Sequence, residues 1–191
     1  MSIEKTGADH VDRLRAQWAR ELPDLDTSPM SILGRIYRLS ILVRPGIEET
    51  FAAFGLDRGE FDVIATLRRA GAPYRLTPTE LYRSLMITSG GLTHRLKRLE
   101  KAGLVKRAPS PEDGRSMMVE LTSAGKTRAE EAFRADMASE LALFAAMPQA
   151  RRELLEELLR ELTHTVMSSL ADRQKVTCYS AVSRGPKRFS M

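Results

Sequence analysis

Residues 88–115 read TSGGLTHRLKRLEKAGLVKRAPSPEDGR. The stretch opens on two hydroxyl residues and two glycines. It continues as a basic segment with regular leucines, and past Gly103 becomes a short apolar-basic run and a charged turn. Leu92, Leu96 and Leu99 recur at three- and four-residue spacing, which puts them on one face of a helix. Gly90, His94, Lys97, Arg98 and Lys101 fall on the opposite face. The stretch carries seven Lys/Arg against three acids, while the whole 191-residue chain has a net charge of only +5. Residues 172–191 carry five more basic residues against Asp172, and positive charge focused on these two segments points to a polyanionic partner.

Upstream, the pattern is helical. A first helix is expected over residues 9–21, carrying Trp18. Pro23 and DLDTSP interrupt it, and Thr27 or Ser28 caps a second helix with Pro29 in its first turn. Ile32, Ile36, Leu39, Val43, Ile47, Phe51 and Phe54 predict one buried stripe, kinked at Pro45 and ended by Gly55. Asp57 caps a third helix that runs to about Ala70. In TPTE, Thr77 is the N-cap, Pro78 the first helical residue and Glu80 the closing member of a capping box. That helix ends near Met86. The next starts at Thr88 or Ser89 and stops at Gly103.

Downstream, LVKRAP and RSMMVELT read as two strands around the turn SPEDG, with Met117, Val119 and Leu121 alternating against Ser116, Met118 and Glu120. Two long helices follow. One puts Phe133, Met137, Leu141 and Phe144 on one face. The other starts at Pro148 and carries Leu155, Leu158, Leu159, Leu162, Val166 and Leu170. Residues 172–191 are polar and basic and read as a disordered tail.

The order helix, short helix, helix, hairpin is that of a winged helix-turn-helix, so the fold class is mainly α with a small β wing. The helix that starts at Thr88 or Ser89 and stops at Gly103 is expected to enter a DNA major groove, with the hairpin tip over the neighbouring backbone or minor groove. Thr77, Thr88, Ser89, Gly90, Gly91 and Thr93 line the approach. The two glycines, in the first turn, bring backbone N–H groups close to phosphate. His94 and Arg98 are candidates for base edges, Lys97 and Lys101 for phosphates. The domains are read as 1–55 (N-terminal helices), 56–122 (DNA-binding), 123–171 (C-terminal dimerisation helices) and 172–191 (tail).

SGGLTHRLKRLEKAGLVKR, PEDGRSMMVELTSAG and the flanking helices resemble the MarR family of transcription regulators over about residues 29–170. The resemblance implies that Arg115 reaches the minor groove or the backbone and that Asp113 fixes the wing. It also implies a homodimer with interleaved terminal helices, reading a pseudo-palindromic operator in double-stranded DNA with half-sites roughly 34–36 Å apart. QWARELPDLD, EFDVIATLRRAGAPYRLTPTEL and THRLKRLEKAGLVKR resemble the urate-responsive branch of that family. Trp18, Asp62, Arg95 and Arg107 occupy the positions that the branch uses for a purine. On that resemblance the effector is a small aromatic anion, urate or a related purine, and the protein is a repressor that it releases. Indole stacks on such a ring and guanidinium groups pair with its oxygens.

Other classes fit less well. His10, His94 and His164 lie far apart with no metal spacing, and no phosphate loop or nucleophile elbow occurs, so neither an enzyme nor a cofactor is expected. The single cysteine, Cys178, lies in the basic tail and fits a reducing, cytoplasmic setting. No run is long and apolar enough to span a bilayer, so no membrane partner is expected. A regulator answering to phenolic compounds or to oxidation, and a ligand-independent DNA binder, remain the alternatives.

Overall fold

The computed structural model describes residues 7–86, 91–109 and 117–182, with side chains described through Asp172. The chain divides into two units, residues 1–140 and 141–191.

In the first unit, α1 (His10–Glu21) is closed by a reciprocal capping box between Asp9 and Asp12. Arg35 then bridges both carboxylates, at 2.8 Å from Asp9 and 2.7 Å from Asp12, and so ties α1 to the start of α2 (Arg35–Ala52). Between them Met30–Gly34 forms a π-helical turn. That turn, ahead of Pro45, is where the chain leaves α geometry; α2 runs through Pro45 without interruption.

α3 (Arg58–Arg69) starts from Asp57, again with a reciprocal box, here to Glu60. Val63, Ile64 and Leu67 on α3 are wholly buried and form the centre of the core. They meet Phe51 of α2, Leu81 of α4 (Pro78–Ser84), and Leu96 and Leu99 of α5 (Leu92–Lys101). Leu92 packs against the same core, so the three leucines share the inner face that their spacing predicts.

The sheet has three antiparallel strands rather than two. A short strand β1 (Arg75–Leu76) pairs with β3 (Met117–Leu121), which also pairs with β2 (Val105–Pro109). In this register Lys106 faces Glu120, and their side chains form an ion pair at 3.0 Å. Val119 and Leu121 point into the core, whereas Met117 at the strand's start is exposed.

Two further expectations are corrected. The α2 stripe is buried only at its C-terminal end, at Phe51, with Ile47 and Phe54 partly covered; Ile32, Ile36 and Leu39 are exposed. Among the described residues, none buries that part of the stripe. The helix after α4 begins at Leu92 rather than at Thr88 or Ser89. Its N-cap is Gly91, in the left-handed region (φ 81°), where a β-carbon would be strained.

α6 (Ser123–Leu143) leaves β3 through Thr122, whose hydroxyl accepts the Gly125 N–H at 2.9 Å and lies 2.7 Å from the Gly103 carbonyl oxygen. Gly125 packs so closely that a Cβ would lie 1.9 Å from the Leu104 carbonyl oxygen. This contact accounts for a glycine three residues after Thr122. In the second unit, α7 extends from Gln149 to Val182, into the segment expected as a tail. Its Leu155, Leu158, Leu159, Val166 and Leu170 are exposed, as are Phe133, Met137, Leu141 and Phe144 on the preceding helix and turn.

Because the clash at Gly125 is with backbone, it has no side chain to yield. Gly125→Ala is expected to destabilise the fold by about 2–3 kcal/mol, read as a lower urea midpoint with an unchanged slope.

Candidate nucleic-acid interface and effector cleft

The buried leucines of α5 fix which side of the helix is open. Thr93, His94, Lys97, Arg98 and Lys101 are all exposed on it. Thr77 is the N-cap of α4, and its hydroxyl is engaged with Glu80 at 2.8 Å. The Thr77 backbone N–H and hydroxyl hold the Glu80 carboxyl below its ordinary value of 4.5. Thr88, Ser89 and Gly90, and Asp113 and Arg115 of the expected wing tip, lie outside the described residues.

Arg98 differs from its neighbours on that face. Its Nε lies 2.8 Å from Glu60 Oε1, its Nη2 donates to Glu60 Oε2 at 3.3 Å, and its Nη1 lies 3.6 Å from Asp57 Oδ2. Both partners belong to the capping box of α3. The Glu60 side chain is only 4% exposed. Arg95, one turn earlier on α5, lays its guanidinium against Gly59 of the same α3 turn, where a Cβ would fall 2.1 Å from its Nε. The first turn of α3 therefore receives two arginines from α5. Sequence reasoning missed Glu60, although Asp57-x-x-Glu60 spells a capping box.

Beside α3 lies a cleft of about 1110 Å³ between α2, α3, α6 and Met86. Asp62 lines it and is 6% exposed. Its Oδ2 accepts the Met86 backbone N–H at 2.9 Å, and Arg69 approaches to 3.8 Å. Phe61 stacks on Phe51 at 4.0 Å and faces Phe133 at 6.4 Å, giving the cleft an aromatic wall. Of the four residues expected at a purine site, only Asp62 is among the cleft's lining residues. Arg95 lies against Gly59, three residues before Asp62 and so on the same face of α3. Trp18 is 46% exposed on α1. Arg107, on β2, pairs with Glu100 at 3.0 Å. Among the described residues no cluster of acidic, histidine or cysteine side chains has the arrangement to hold a metal ion. Nor is any described helix long and apolar enough to cross a membrane.

A scaffold helix, a short helix, an exposed basic helix and an antiparallel sheet define a winged helix-turn-helix protein. The family model described as the MarR family matches residues 54–116, from the end of α2 into the segment that joins the strands. The HTH-type transcriptional regulator PecS of Dickeya dadantii is 43% identical over 115 residues, 60% of this chain and 69% of that protein. The HTH-type transcriptional repressor Rv2887 of Mycobacterium tuberculosis is 33% identical over 138 residues, 70% of this chain and 95% of that one. Among solved structures, the apo form of wild-type MarR from Escherichia coli aligns with a TM-score of 0.57 at 27% identity, covering 68% of this chain and 96% of its own. The chain belongs to the MarR family and is a DNA-binding transcription regulator.

Asp136 on α6 also lines the cleft, and sequence reasoning missed it. It is 6% exposed, and its Oδ1 has no hydrogen-bond partner. Its position among Ala132, Phe133 and Met137 on the apolar side of α6 was the available signal. Burial pushes its carboxyl above the ordinary 3.8; Glu140 adds to the rise, and Arg58 opposes it. The folded chain thus holds this proton more tightly than the unfolded chain. The stability it contributes is complete below pH 3.8 and is lost as pH rises through the raised value. Asp136→Asn is therefore expected to stabilise the protein near neutral pH, with the gain shrinking toward pH 3.8. Urea midpoints of the two proteins across that range check it.

Proposed function

We propose that this regulator is a homodimeric repressor, released from a pseudo-palindromic operator when a small aromatic anion, urate or a related oxopurine, binds beside α3. The observation that carries the effector reading is the bond from the Met86 N–H to buried Asp62. Met86 leads into the segment before α5. A ligand that presents a ring N–H to Asp62 competes for that bond, and a ligand oxygen that draws Arg95 away from Gly59 loosens the other end of the same contact. Either change moves the helix that carries His94, Lys97 and Lys101. Support comes from the resemblance of Trp18, Asp62, Arg95 and Arg107 to the urate-responsive pattern. Trp18 and Arg107 are proposed to close over the ring once it is bound.

The homodimer reading rests on apolar surface. Ile32, Ile36 and Leu39 of the N-terminal helices, Phe133 and Met137 of α6, and Leu155 and Leu158 of α7 are exposed in the single chain. A soluble monomer rarely leaves such a run of large side chains open to water. A second copy of the same helices is the partner proposed to cover them. Sedimentation of the purified protein is expected to give a dimer at micromolar concentration.

The effector reading is tested by mobility shift on the operator with urate, xanthine, hypoxanthine and a phenolic acid. Urate is expected to weaken binding roughly 5- to 150-fold, a coupling of about 1–3 kcal/mol. No release by any purine at millimolar concentration removes the purine and leaves DNA binding intact. Arg95→Ala should abolish the response. Gly59→Ala should blunt it too, because the new Cβ displaces the Arg95 guanidinium without removing it. A full response in both variants takes Arg95 out of the site.

A further inference from the structure

We propose that Arg98, although exposed on the DNA-facing side of the recognition helix, does not read DNA. With Glu60 and Asp57 it forms a clasp that sets the angle of α5 on α3, so Arg98 and Glu60 are positioning residues for operator binding.

The argument starts from the donor count. Reading guanine takes two free N–H groups on one edge of a guanidinium. On Arg98 the Nε and Nη2 edge is occupied by the two oxygens of Glu60, and Nη1 faces Asp57. The carboxylate oxygens are equally committed. Asp57 Oδ1 accepts the Glu60 N–H at 2.7 Å, and Glu60 Oε2 accepts the Asp57 N–H at 2.9 Å. One charged group thus closes a network in which each oxygen already serves the helix cap or the arginine. Turning Arg98 toward DNA would leave Glu60, nearly all of it out of water, without its counter-charge, and losing one partner of a buried pair is strongly unfavourable. His94, Lys97 and Lys101 stand on the same exposed side with no such tether among the described contacts, and they are the side chains left for the duplex.

The clasp and a DNA contact make opposite predictions for Glu60→Gln. Gln keeps an acceptor for the helix cap but gives up the charge that holds Arg98. If Arg98 binds DNA, removing a negative neighbour frees it and operator binding stays level or tightens. If Arg98 is a clasp, operator binding weakens, by about tenfold, while binding to random duplex holds. The experiment titrates operator and random duplex with the full chain at several salt concentrations, for wild type, Glu60→Gln, Arg98→Met, Arg98→Lys and the Glu60→Gln/Arg98→Met double variant. The expected result is a similar loss in all four variants, without addition in the double, and a wild-type salt slope throughout. Lys97→Met, as the reference for a phosphate contact, should lower the slope by about one. Arg98→Lys separates the readings a second time, because lysine serves a phosphate but cannot bridge two carboxylates as arginine does. Unimpaired operator binding by Glu60→Gln or by Arg98→Lys, or a slope lowered by Arg98→Met, overturns the proposal.

Discussion

The structure depends on the first turn of α3 being closed. A helix start leaves backbone N–H groups without partners, and here Asp57 and Glu60 satisfy two of them reciprocally. Because both caps are acidic, the turn also carries negative charge beside a buried position, and α5 answers it with Arg98. Gly59 completes the arrangement by leaving room for Arg95. Three residues at the start of α3 thus meet two arginines of α5. Further along α3, Val63, Ile64 and Leu67 fill the core, so the same helix holds the reading head and anchors the domain.

Much of this was legible in the sequence, and what was legible follows one rule. Features set by local spacing could be read: the leucine face of α5, the Thr77–Pro78–Glu80 start of α4, the stop at Gly103, and the alternation of Val119 and Leu121. Features that need a distant partner could not. The two-residue strand β1 is too short to show periodicity and exists because β3 offers a free edge. The start of α5 was placed too early because Thr and Ser are favoured caps, whereas left-handed Gly91 sets the boundary. The charge of Arg98 on an exposed helix face is visible in the sequence, whereas its pairing with a carboxylate thirty-eight residues upstream is not.

The apolar stripes show the same limit from the other side. Spacing identified Ile32 through Phe54 and Phe133 through Phe144 as faces that avoid water, but spacing alone does not say what covers them. Among the described residues, the end of the first stripe (Phe51, with Ile47 and Phe54) joins the core, and the rest of both stripes is exposed or half-buried. The cleft beside α3 was half legible as well. Asp62 came from a resemblance, while Phe133 and Asp136 sit on a helix more than sixty residues later and entered only with the fold. A carboxylate out of water with an unused oxygen is poor packing by itself. Here it shares the lining of the cleft with Phe61 and Phe133.

The joint at Thr122 and Gly125 has a mechanical consequence. One hydroxyl ties the amide of α6 to the carbonyls at the end of α5 and the start of β2, and Gly125 brings backbone directly onto backbone with no flexible side chain between. Such a joint has no slack. A turn of α6 about its axis would press Gly125 on the Leu104 carbonyl, so the start of β2 has to move with the helix.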